Sequence, residues 1–97
     1  MWIQVVRSGG FAGLRVERAV ETDHLSAAER VEVERLVVEA RFFDLPERAA
    51  SRLPDVIQYR VRVETRERSR EITTDEQAAP PPLFALVERV LASDARG

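Results

Sequence analysis

At 97 residues, with 44% apolar and 33% charged content, the chain is sized and composed for one folded domain spanning 1–97, not a disordered segment. Seventeen acidic residues against fifteen basic ones leave a net charge of −2 with alternating signs, so the single basic stripe of a nucleic-acid binder is missing. The absence of cysteine and the single histidine remove disulfides, thiolate chemistry and a histidine-based metal site, and no apolar run approaches the ~20 residues of a membrane span.

All basic residues are arginine, which reads as the codon bias of a GC-rich genome and not as a phosphate-binding surface. No basic segment followed by an apolar one opens the chain, so a secretory signal is not expected and a cytoplasmic protein is.

Trp2 to Arg7 reads as a strand with Ile3 and Val5 on one face, and Leu14 to Val20 as a second. In the second, Leu14, Val16 and Val20 alternate with Arg15, Glu17 and Glu21, the period-two pattern of a half-buried strand. Arg18 falls on the apolar side, which suits an edge position where its head reaches water. Between the two runs lies Ser8-Gly9-Gly10-Phe11-Ala12-Gly13, with three of the four glycines of the chain around one aromatic. Glycine belongs where φ is positive or another backbone comes close. The expectation is a β-hairpin with this segment at its tip.

A helix follows. Ser26 with Glu29 three residues on is a capping box, and Val33, Leu36, Val37 and Ala40 form one apolar face. Phe42, Phe43 and Leu45 extend that surface as core, and Pro46 ends it. Glu47 to Pro54 reads as a polar loop. Ile57, Tyr59, Val61, Val63 and Thr65 then alternate strictly with Gln58, Arg60, Arg62 and Glu64, the clearest strand of the chain. A register slip of one residue would bury the arginines, so the pairing is well specified. Tyr59 is expected in the core with its hydroxyl at the rim. Thr65 to Ser69 makes a charged turn, and Arg70 to Thr74 returns with Ile72 inward.

Pro80-Pro81-Pro82 opens a last helix, with Leu83, Leu86, Val87, Val90 and Leu91 as its stripe. The order ββαββα predicts an α+β fold of two layers, an antiparallel four-stranded sheet with both helices on one face.

No catalytic constellation emerges. A hydrolase needs a nucleophile with a base in reach, and the one imidazole, His24, sits in a polar turn ahead of the first helix. The carboxylates lie on polar helix faces and charged turns. The Gly9-Gly10-x-x-Gly13 run joins strand to strand, whereas a dinucleotide loop joins strand to helix. No enzyme activity, cofactor or metal is expected.

Several of these features together resemble the emfourin family. They are the first strand running into Ser8-Gly9-Gly10-Phe11-Ala12-Gly13, the Leu14-Arg15 strand start, and the helix ending in Phe42-Phe43-Asp44-Leu45-Pro46. Pro54-Asp55 before Gln58-Tyr59 and the proline-rich start of the last helix complete them. The resemblance implies a proteinaceous inhibitor of a thermolysin-like zinc metallopeptidase such as protealysin, made by the same cell. Ser8, Gly9, Gly10, Phe11, Ala12 and Gly13 would then bind the partner by strand addition, Phe11 toward the apolar subsite, with no residue ligating the enzyme's zinc. Phe11 folded back onto its own core is the competing placement. A protein-interaction or adaptor domain with a non-protease partner, using the same tip or the sheet face of Arg60, Arg62 and Glu64, is the alternative function. Charged residues along both hairpins predict a monomer in the free state.

Overall fold

The computed structural model describes residues 1–9, 13, 15–49 and 56–93. Strand β1, Trp2–Gly9, is flanked on both sides: by β2, Val16–Glu21, and by a later strand, Ile57–Glu64. Helix α1, Ala27–Ala40, follows β2 through a 3-10 turn at Thr22–His24. A second 3-10 turn, Phe42–Asp44, leads to a two-residue strand β3, Arg48–Ala49. Strands β4, Ile57–Glu64, and β5, Ser69–Asp75, precede helix α2, Pro81–Leu91. The sheet order is β2-β1-β4-β5-β3.

In place of the expected antiparallel four-stranded sheet and ββαββα order, the described elements run ββαβββα. The sheet has five strands and is mixed, because β3 pairs parallel to β5 (Arg48 with Thr73, Ala49 with Thr74) within what the sequence presents as a polar loop. Its pairing is a backbone matter: the Thr73 N–H donates to the Glu47 carbonyl at 2.8 Å. Two residues cannot carry an alternating pattern, so no side-chain signal marks this strand. The other pairings are antiparallel as expected, and α+β with both helices on one face holds.

The core lies between that face and the helices. Ile3 and Val5 of β1, Val20 of β2, Tyr59, Val61 and Val63 of β4, and Ile72 of β5 meet Val33, Val37 and Ala40 of α1 and Leu83, Leu86, Val87 and Val90 of α2. Each large aliphatic side chain removed from water there contributes about 1.5–3 kcal/mol, which holds α1 and α2 on the sheet where helical propensity alone would not. Leu36 and Leu91, at the borders of the two stripes, are half-buried. On β2, Arg18 does lie on the helix side, paired with Val5, at the sheet edge.

The predicted cap is present. The Glu29 N–H donates to Ser26 Oγ at 3.2 Å, and that hydroxyl donates to Glu29 Oε1 at 2.7 Å. These bonds, with the Ser26 backbone N–H and Arg89, hold the Glu29 carboxyl below the usual carboxylate range. A depressed folded-state value means the contribution is present at neutral pH and fades as pH falls through that value. Ser26→Ala is therefore expected to cost about 1 kcal/mol at pH 7 and less in acid. Denaturant melts at both pH values check it; a pH-independent loss contradicts it.

Arg89 ties the helices together, its guanidinium reaching Glu32 at 3.0 Å, Glu29 at 3.4 Å and Ser93 at 3.1 Å. Helix α1 ends at Arg41 in the left-handed region, φ 51°, which turns the chain so that Phe42 drops into the core. At the opposite end of the 3-10 turn Arg70 donates to the Leu45 carbonyl. Thr65 Oγ1 accepts the N–H groups of Glu67 and Arg68, closing the charged β4–β5 turn. Asp75 Oδ1 accepts those of Gln77 and Ala78 and ends β5.

Candidate functional site

The glycine-framed segment begins where β1 outruns its partner. Pairing between β1 and β2 stops at Arg7 with Val16, while pairing between β1 and β4 continues through Ser8 with Gln58 to Gly9 with Ile57. The chain from 10 to 15 thus connects strands of unequal reach, longer than a tight two-residue turn. Gly10, Phe11, Ala12 and Leu14 lie outside the described residues. Of the segment's six residues, Ser8 is half-buried, and Gly9 and Gly13 are exposed.

The two described glycines serve different needs. Gly9 has φ +96°, and a Cβ there would stand 3.0 Å from the Val56 carbonyl oxygen. The close approach that requires glycine at this position is to the chain's own backbone. Gly13 has φ +62° and open space around it, so only its left-handed conformation is demanding. Gly9→Ala is expected to destabilise by about 2–3 kcal/mol, from the unfavourable φ plus the contact. Gly13→Ala is expected to cost about 1 kcal/mol. Thermal melts of the two variants check the ranking, and equal losses contradict the assignment of the Val56 contact.

Beside Gly9 the sheet end opens into a cleft of about 440 Å³ between β1, β4 and α2. Ile57, Phe84 and Leu91 floor it, half-buried, and Arg7, Glu76 and Glu88 rim it. Tyr59 packs edge-on against Phe84, ring centroids 6.0 Å apart. Burial pushes the Tyr59 phenol above its ordinary value, with Glu76 and Glu88 adding to the shift and Arg7 opposing it. Tyr59 is thus core with its polar end among charges, as the sequence suggests. The cleft itself is invisible in the sequence, since Arg7 meets Tyr59 only through the β1–β4 register.

His24 is exposed in its 3-10 turn. Among the described residues no group of three or more His, Cys, Asp or Glu stands together to hold a metal ion, and no helix is long and apolar enough to cross a membrane. The sheet face away from the helices is a lattice of mutual pairs: Arg60 with Glu71, Arg62 with Glu64, Arg15 with Glu17, and Gln4 donating to Glu17. Phe42 is buried and Phe43 half-buried, so this pair packs the core end.

No curated protein and no solved structure matches the chain. The Emfourin family model matches residues 5–91. That span takes in every described strand and helix at least in part, from β1 to α2. On this match, in accord with the order of motifs along the sequence, the chain belongs to the emfourin family.

Proposed function

We propose that the protein is a non-catalytic inhibitor of a thermolysin-like zinc metallopeptidase, acting in the cytoplasm by occluding the active-site cleft. The observation that carries this reading is the family membership, supported by Ser8 and Gly9 standing at an end of β1 that pairs with β4 alone. In this reading Ser8, Gly9, Gly10, Phe11, Ala12 and Gly13 meet the partner, and Phe11 fills its apolar subsite. The close packing of Gly9 against Val56 favours a stiff base for the segment, which would keep a bound backbone out of attack geometry.

The open sheet face is a poorer docking surface, because its charges are already engaged with one another. A monomeric free state is part of the proposal. The Thr22 N–H bonds the Met1 carbonyl at 2.9 Å, which fixes the ladder parity and turns the backbone groups of Glu17 and Ala19 toward the free edge of β2. The Arg18 guanidinium donates to the Glu17 carbonyl at 2.9 Å and so obstructs that edge.

Incubation of the purified protein with a thermolysin-like peptidase tests the reading. An equimolar complex on size exclusion, with the inhibitor chain intact by mass spectrometry, is expected. Degradation of the chain without complex formation would sink it.

A further inference from the structure

We infer that the cleft beside Gly9 is a second docking subsite for the peptidase, taking a large apolar side chain that stands next to a basic residue on the partner's surface. The inference rests on the inhibitor reading and extends it from the glycine-framed segment to the end of the α/β layer.

Position is the first argument. Ile57 of the cleft floor is the register partner of Gly9, and Arg7 of the rim is that of Tyr59. A protein that docks against Gly9 also meets this end of the sheet. The other clefts with apolar lining are placed differently. One, lined by Phe43, Thr65 and Arg68, is at the opposite end of β4. That is about 20–25 Å away at 3.4 Å per residue along the strand. Another, along β2, has its charged groups satisfied internally, Arg89 by Glu29 and Glu32 and the N-terminal amine by Glu21.

The floor supplies the second argument. Ile57, Phe84 and Leu91 all pack on the core yet keep part of their surface in water. A cleft of about 440 Å³ is within the size range of ligand-holding clefts and exceeds what one aliphatic side chain needs.

Charge is the third. Among the described residues the side chains of Arg7 and Glu88 make no ion pair and no hydrogen bond, although Glu88 adjoins the fully engaged Arg89. The Glu76 carboxylate accepts, among the described residues, one long hydrogen bond, from the Ile57 N–H at 3.4 Å. Two carboxylates against one guanidinium leave the rim acidic, so the complementary occupant is apolar with a cation beside it. Such rim charges act mainly on association rate and its salt dependence.

The test uses the intact chain against a purified thermolysin-like peptidase. Glu88 is exposed on α2, so Glu88→Arg is expected to fold like the parent and to weaken inhibition by about tenfold or more, mostly through slower association at low salt. Glu88→Gln should fall between, and Arg7→Gln, which leaves the rim more acidic, should strengthen inhibition. The control Glu67→Arg, with the same charge change in the β4–β5 turn at the far end, should leave inhibition as it is. If the parent inhibits while Glu88→Arg and Glu67→Arg inhibit as well as it does, the subsite is refuted and the inhibitor reading stands. If Glu67→Arg weakens inhibition as much as Glu88→Arg, net charge and not the cleft is responsible. If the parent inhibits none of these peptidases, both readings fall.

Discussion

Replacing Phe42 by alanine is expected to lower the stability of the fold by about 3–5 kcal/mol, close to the whole margin of a marginal domain of this size. Phe42 is 1% exposed and plugs the core where the 3-10 turn leaves α1. Phe43, one residue on, is half-buried; it meets Phe42 edge-on at 5.6 Å and lies under the Arg68 guanidinium at 3.8 Å. Phe43→Ala forfeits an aromatic pair and a cation–π contact at a partly wet site, about 1–2 kcal/mol in all. Thermal melts of the two variants separate these roles. The Phe42 variant is expected to be largely unfolded or to melt more than about 12 °C lower, with a far smaller shift for the Phe43 variant. Equal losses would contradict the division between core plug and lid.

Phe11→Ala is expected to have the largest effect on inhibition. If Phe11 fills an apolar subsite, its truncation removes a central aromatic anchor, worth at least about 2 kcal/mol or roughly a thirtyfold weaker complex. The melting temperature should change little, because an outward side chain contributes little to the folded state. The opposite pattern, a lower melting temperature with inhibition intact, would place Phe11 on its own core and remove it from the interface.

The parts of this fold that were legible in the sequence are those that side chains specify. The Ser26–Glu29 cap is a fixed local spacing, and the Val33–Val37–Ala40 and Leu83–Leu86–Val87–Val90 stripes and the alternation of β4 each repeat one period long enough to be read. Arg18 was legible as an edge residue because a guanidinium on an apolar face has few other places to go. Strand β3 was not, because two residues joined to Thr73 and Thr74 through the backbone leave no pattern. Val6 was not either. It faces away from the helices yet is only 5% exposed, lying between Glu17 and Arg60 on the flanking strands, and that placement follows from strand order alone.

For the candidate site the division is similar. The glycines announced a special backbone, but the sequence could not say that Gly9 is required by the Val56 carbonyl. The cleft of Arg7, Tyr59, Phe84 and Glu88 assembles residues from three elements and has no sequence signature. The family match adds what neither glycine spacing nor burial supplies, a class of partner to test.

The most direct measurement is a titration of a purified thermolysin-like peptidase, at fixed concentration, with the protein, reading cleavage of a fluorogenic peptide. A linear fall in activity to a break at one equivalent, with the protein recovered uncleaved, is expected. Activity that persists past several equivalents while the protein is digested as a substrate would contradict the inhibitor reading.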